Sequence, residues 1–160
     1  PPKILKRKLK LNRKEILLAL KSAISATANK KIILSRYKKI NELKLNFPVI
    51  ITSEITKIKK TKELKKLIEK IFSGVKAIYK KKKIGLKKGK LRGRKYKKSA
   101  GLLIITGNDE KKIVVNLFDI KKINEVNLKD LAPGGNPGRL IIYTEKTIKN
   151  LENLKNKKWY

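Results

Sequence analysis

The stretch Leu-Ile-Ile-Tyr-Thr-Glu-Lys-Thr-Ile-Lys-Asn-Leu-Glu-Asn-Leu, residues 140–154, changes its period partway along. Leu140 to Tyr143 is a continuous apolar run, as expected of a strand covered on both faces. Thr144 and Glu145 then open a helix whose apolar positions are Ile148, Leu151 and Leu154. A short apolar strand feeding an amphipathic helix is the building unit of layered α/β folds. The same vocabulary recurs upstream. Leu102 to Ile105 reads as a buried strand, and Phe47 to Ile51 as a short buried run bounded by Pro48 and Thr52-Ser53. Leu64, Leu67, Ile68 and Ile71 fall at i, i+3, i+4 and i+7, which predicts a helix over about 61–72, capped by Thr61 and stopped near Gly74. The fold class is therefore α/β, with a small, mostly parallel sheet flanked by helices.

The remaining segments fill in around this frame. Asn12 has the character of a helix N-cap, with Glu15 placed to close a capping box. Ile16, Leu20 and Ile24 follow at intervals of four, so a helix is expected over about 13–29. Residues 30–46, with Ile32, Ile33, Leu34 and Tyr37, fit either a short helix or a strand. A short helix is expected from Val75 to about Lys82, and a helical turn over Asn127 to Leu131. Asp109-Glu110 open a segment through Phe118 that fits helix or strand, its Ile113, Val114 and Val115 favouring strand. The chain of 160 residues suits one domain, over 12–154, and 40% hydrophobic content is enough for a buried core. Residues 1–11 read as an extended basic arm and 155–160 as a basic tail.

Charge decides the class of partner. Forty-five Lys and Arg face twelve Asp and Glu, a net charge of +33. Such a surplus opposes compaction unless a polyanion neutralises it. Nucleic acid rewards this composition through counterion release, at about six to ten phosphate contacts for a thousandfold to hundred-thousandfold salt sensitivity between about 50 and 200 mM. The chain has neither Cys nor His, which excludes disulfides, thiolate zinc sites and histidine acid–base chemistry. No apolar run approaches the roughly 18 residues of a membrane span, and no basic amphipathic helix with aromatic anchors points to a membrane surface. The start, Pro1-Pro2-Lys3, has no apolar signal region and no Met, so the sequence reads as processed or as a fragment.

Two segments concentrate the cations. Over residues 80–98 there are twelve Lys or Arg in nineteen positions and no acid, with Gly85, Gly89 and Gly93 at intervals of four. No apolar face forms there, so 80–99 is expected to be a basic loop. Lys87, Lys88, Lys90, Arg92, Arg94, Lys95, Lys97 and Lys98 are candidate phosphate contacts, and Tyr96 offers a ring for an unpaired base. The glycines let backbone approach a phosphate ridge. The arm contributes Lys3, Lys6, Arg7, Lys8 and Lys10, which are expected to order on a polyanion.

A third segment is Pro133-Gly134-Gly135-Asn136-Pro137-Gly138, followed by Arg139. Its Pro and Gly density specifies a sharp structural turn. A phosphate cradle is the competing reading, but the Lys-Ser/Thr of a P-loop is missing and the loop leads into a strand. Arg139 is a candidate RNA contact. Asp109, Glu110 and Asp119 are the densest acids, show no catalytic spacing, and read as surface carboxylates. A metal-dependent nuclease built on them is the enzyme alternative.

The run Gly85–Lys98 followed by Gly101–Ile105, and the run Asp130–Arg139 followed by Leu140–Glu145, resemble two signatures of one family in matching order and separation. That family is the large-subunit ribosomal protein L four family, in its archaeal and eukaryotic form. Ser22–Ala28 and Lys59–Glu63 are similar to two of its helices, so the resemblance covers nearly all the chain. Two departures stand out. Leu86-Lys87-Lys88 occupies the place of a family glycine, and Asn136 stands where the family carries His. The resemblance implies a non-enzymatic structural constituent of the large ribosomal subunit. It would be cytoplasmic and bound to large-subunit rRNA and neighbouring ribosomal proteins, supporting subunit assembly and translation. It also implies no cofactor beyond Mg ions held by the rRNA itself, no small-molecule substrate and no membrane. The resemblance also implies that family members carry a further N-terminal portion with a loop reaching the peptide exit tunnel, and Pro1-Pro2-Lys3 resembles the point just after that loop, so the expectation is either the ordered piece of a longer chain or a chain that has lost that part. A nucleic-acid-binding module outside the ribosome fits the charge equally well.

Overall fold

The computed structural model describes residues 11–37, 45–58, 60–72, 79, 82–84, 96–110, 113, 115 and 117–153. Helix α1, Arg13–Ala26, begins at Asn12, whose side chain accepts the Lys14 N–H at 3.1 Å. That bond reaches the second helical residue, whereas a capping box would reach the third, at Glu15. The helix stops three residues short of the expected 29. Thr27 turns its hydroxyl onto the Ile24 carbonyl at 2.6 Å and lies 2.8 Å from the Tyr143 hydroxyl, and Asn29 starts a new helix by accepting the Lys31 N–H. This helix, α2, is Lys30–Arg36, so the ambiguous 30–46 segment is helical in its first half. Residues 38–44 of that segment lie outside the described residues.

Strand β1, Val49–Ile51, leads through a 3-10 turn at Ser53–Lys57 into helix α3, Thr61–Phe72. Thr61 is the first helical residue rather than the cap. Of the expected stripe Leu64, Leu67, Ile68 and Ile71, Leu64 and Ile68 are fully buried and Leu67 and Ile71 partly so, and Phe72, which the sequence reading does not name, is fully buried beside them. Of the short helix expected over 75–82, residues 75–78, 80 and 81 lie outside the described residues, and Lys82 belongs to a strand. Strands β2, Lys82–Ile84, and β3, Tyr96–Lys98, pair antiparallel as a separate ribbon. Strand β4, Leu103–Thr106, and strand β5, Asp119–Lys122, follow. A 3-10 turn at Ile123–Glu125, helix α4, Leu128–Leu131, and a further turn at Pro133–Gly135 lead to strand β6, Ile141–Thr144. Helix α5, Glu145–Asn153, closes the described chain. Of the 109–118 segment, expected as helix or strand, residues 111, 112, 114 and 116 lie outside the described residues. The described residues from Asp109 to Phe118 form no helix and no strand, although Ile113, Val115 and Phe118 are buried.

The sheet is parallel throughout, in the order β1-β6-β4-β5. Its centre, β6 and β4, is buried at every position, so the apolar runs read in the sequence are two-sided. Side chains alternate between two cores. Ile104 and Ile142 join Ile33, Leu64, Ile68 and Phe72 on one face. Leu103, Ile105, Ile141 and Tyr143 join Leu20, Ala23 and Leu131 on the other. Three layers result, with α2 and α3 against one face and α1, α4 and α5 against the other. Strand β5 escapes a sequence reading because Asp-Ile-Lys-Lys has no apolar run; it is an edge strand, where charge is the norm.

Candidate nucleic-acid interface

The cationic segment grows from a braced root. Tyr79 rests on the body, its ring centroid 5.9 Å from that of Phe118 at a 32° tilt. Its hydroxyl donates to the Glu69 carboxylate, and the Lys65 ammonium sits 5.6 Å from the ring centroid. Burial, the Glu69 hydrogen bond and the Glu69 charge together push the Tyr79 phenol up to about 12. Ser99 donates to the Tyr79 carbonyl at 3.3 Å, closing a twenty-residue excursion at its base. The chain re-enters the parallel sheet at β4, a few residues beyond this closure.

Within the excursion, the ribbon sets Lys82 opposite Lys98, Lys83 opposite Lys97 and Ile84 opposite Tyr96. Like charges at opposite positions of a strand pair repel. Two of the three pairs set lysine opposite lysine. The expected basic loop over 80–99 is thus corrected in part: Tyr96, Lys97 and Lys98 are strand residues, paired with Lys82 to Ile84. Lys82 and Lys83 are not singled out by the sequence reading; the signal for them is membership of the same acid-free run. Lys87, Lys88, Lys90, Arg92, Arg94 and Lys95 lie outside the described residues, as do Lys3, Lys6, Arg7, Lys8 and Lys10 of the arm.

Arg139 belongs elsewhere. It is 2% exposed, and its guanidinium is occupied within the fold. Nε donates to the Gly101 carbonyl at 2.9 Å, and one terminal nitrogen to the Asp130 carbonyl at 2.8 Å. The other reaches the Ala100 carbonyl at 2.7 Å and the Asp119 carboxylate at 2.6 Å. It clamps the β3–β4 joint, the start of β5 and the end of α4 together. The expectation of an RNA contact at Arg139 is therefore corrected, because a buried guanidinium with its donors engaged offers nothing to a phosphate. Its partner Asp119 and the 5% exposed Glu110 correct the reading of surface carboxylates. Glu110 accepts the Gly107 N–H and the Thr144 hydroxyl, each at 2.7 Å, and fastens the turn after β4 to the start of α5. Asp109 is exposed.

The Pro/Gly segment is a folded turn held from outside. Gly134, Gly135 and Gly138 all take positive φ. Arg36 of α2 donates to the Pro133 carbonyl at 3.0 Å and to the Asn136 and Pro137 carbonyls. At Gly138 a Cβ would lie 2.7 Å from Ile32 Cγ2, so only glycine fits where α2 crosses the turn. Arg36 is a second arginine with a structural grip that sequence alone does not single out.

A three-layer parallel α/β body carrying a lysine-rich antiparallel ribbon, closed at its root just before a central strand, makes this a basic α/β protein. The family model described as the ribosomal protein L4/L1 family matches residues 1–154, and the chain belongs to that family. It is 39% identical over 154 residues to the large ribosomal subunit protein uL4 of Methanosphaera stadtmanae, covering 91% of this chain and 58% of that protein. It is 39% identical over 160 residues to the same-named protein of Saccharolobus islandicus, covering 95% of this chain and 60% of the other. The Saccharolobus solfataricus protein is 38% identical over 148 residues, 88% of this chain and 55% of its own length. The chain thus spans less than two thirds of these relatives.

Proposed function

We propose that this chain is a structural, non-enzymatic constituent of the large ribosomal subunit, binding large-subunit rRNA and supporting subunit assembly and translation. The observation that carries this is the ribbon, where lysine is registered against lysine in two of three pairs beside the acid-free run 85–95. That arrangement is unfavourable in water and favourable along a phosphate backbone. The α/β body holds the ribbon's root through Tyr79 and Ser99. Lys82, Lys83, Lys97 and Lys98, with Lys87, Lys88, Lys90, Arg92, Arg94 and Lys95, neutralise phosphates, and Tyr96 stacks on an unpaired base. The arm cations Lys3, Lys6, Arg7, Lys8 and Lys10 add contacts of the same kind. Any Mg ion involved is held by the rRNA, and the working location is the cytoplasmic ribosome.

The test is the double variant Arg92→Ala with Arg94→Ala. Loss of two phosphate contacts lowers the log–log salt slope of rRNA binding by about 1.5. The expected result is weaker incorporation into large subunits on a high-salt gradient, with the urea midpoint of the free protein unchanged. Unaltered incorporation and slope would sink the assignment of this segment. Sedimentation of the unmodified chain away from the large subunit would instead favour a nucleic-acid-binding role outside the ribosome.

A further inference from the structure

The ribbon leaves the body at a point where an acid stands. Glu69 lies on α3 and accepts the Tyr79 hydroxyl. On charge alone, a carboxylate is misplaced at the foot of a segment that binds phosphate, because it repels the ligand. Its ion pair with Lys65, at 3.8 Å, does not account for it. The two side chains are 42% and 49% exposed, and pairs so open to water contribute little. What Glu69 holds is Tyr79, and other groups of the body converge on the same side chain. The Phe118 ring centroid lies 5.9 Å from that of Tyr79, and the Lys65 ammonium 5.6 Å from it.

Tyr79 in turn reaches both strands of the ribbon. It stands three residues before Lys82, where β2 begins. Its carbonyl accepts the hydroxyl of Ser99, the residue that follows β3. The β3 side is fixed a second time, because Arg139 holds the Ala100 and Gly101 carbonyls. On the β2 side the tie among the described residues is Tyr79 itself. A ribbon of two short strands is marginal on its own, and lysine opposite lysine weakens it further, so its direction from the body depends on the root. A segment oriented before binding does not lose that freedom on binding, and the difference appears as affinity. We infer that Glu69 and Tyr79 are positioning residues of the RNA interface: their hydrogen bond aims the lysine-rich ribbon at phosphate from a fixed root. The inference rests on the RNA reading of the ribbon and adds to it two residues that act through others.

Charge and positioning predict opposite signs. Glu69→Ala and Glu69→Gln remove the same negative charge, so charge alone makes both bind RNA more tightly. Only glutamine keeps an oxygen to accept the Tyr79 hydroxyl. Binding of the full chain to a large-subunit rRNA transcript is measured by filter retention between about 50 and 200 mM salt, per folded molecule as judged by circular dichroism. Glu69→Gln is expected to bind at least as tightly as the unmodified chain, and Glu69→Ala about tenfold more weakly than Glu69→Gln. Tyr79→Phe changes no charge and is also expected to lose about tenfold. Its log–log salt slope stays that of the unmodified chain, because the same phosphates are neutralised once the ribbon is bound. Adding Tyr79→Phe to Glu69→Ala costs nothing further, since the hydrogen bond is already gone. Equal affinities of Glu69→Ala and Glu69→Gln overturn the positioning role, as does Tyr79→Phe at the affinity of the unmodified chain. A shallower slope for Tyr79→Phe overturns it too, since phosphate contacts would then be lost with the hydroxyl. Those results leave the RNA reading standing, provided the unmodified chain binds the transcript. Failure of the unmodified chain to bind overturns both.

Discussion

Replacing Arg139 with Met should destabilise the body without touching RNA affinity of the folded protein. The guanidinium makes hydrogen bonds to three carbonyls and one carboxylate while 2% exposed. Breaking a buried charged pair by removing one partner costs about 3–5 kcal/mol. The Asp119 side chain is 27% exposed, so water compensates part of the loss and the lower end applies, about 3 kcal/mol. Small domains have about 5–15 kcal/mol in all, so Arg139→Met remains folded in buffer. With a urea m-value of about 2 kcal/mol/M, the midpoint falls by about 1.5 M. Arg139→Lys should fall in between, since an ammonium keeps the charge but cannot span four acceptors with a fixed fork. The assay is equilibrium urea unfolding followed by circular dichroism, paired with rRNA binding at low denaturant. A wild-type midpoint together with weakened RNA binding would refute the clamp and return Arg139 to the interface.

Two other perturbations probe the ribbon root and the body. Tyr79 keeps its proton up to about 12 in the folded state, whereas an unfolded-chain tyrosine ionises near 10. The folded state holds the proton more tightly, so this contribution is intact below pH 10 and is lost as pH rises towards 12. Tyr79→Phe should flatten the fall of the urea midpoint across that window, and an unchanged slope would count against the braced root. Gly138→Ala combines φ of +83° with a Cβ 2.7 Å from Ile32 Cγ2, and should cost about 3 kcal/mol. Gly134→Ala has φ of +78° but open space, and should cost only about 1–2 kcal/mol. Thermal melts that rank the two equally would remove Ile32 from the account.

What is legible in the sequence is what burial alone dictates. The central strands stand out because a two-sided strand favours continuous apolar residues, as in 103–105 and 141–143. Helix α3 does so because one face must be apolar at every fourth position. Boundaries slip by a residue where Leu102 and Leu140 are buried yet precede the strand, since burial and strand pairing are different properties. Edge strand β5 and the break between α1 and α2 are invisible, because each is set by tertiary partners: β4 for the first, Tyr143 against Thr27 for the second. The candidate site is legible as composition and not as geometry. An acid-free run announces a polyanion, but nothing in residues 80–98 says that its two ends pair, because lysine is a poor strand residue and the pairing is imposed by the closed root. Arg139 misleads for the same reason: next to a Pro/Gly turn, a clamp and a phosphate contact look alike until the acceptors are seen.

The acids complete the electrostatic argument. Asp119 is engaged with Arg139, Asp130 with Lys121 at 2.7 Å, and Glu110 with the Gly107 N–H and Thr144. Glu54, Glu63 and Glu69 pair with lysines three or four residues away along the chain. Asp119, Asp130 and Glu110 hold joints between elements, whereas Glu54, Glu63 and Glu69 make exposed pairs along one turn of chain. Even complete pairing of all twelve acids leaves thirty-three cations, the net charge of the chain. Internal pairing therefore leaves a large cationic surplus on the chain as a whole, which a polyanion from outside the chain would offset. In the body the buried guanidinium of Arg139 is met by the Asp119 carboxylate, whereas the ribbon registers lysine opposite lysine in two of its three pairs.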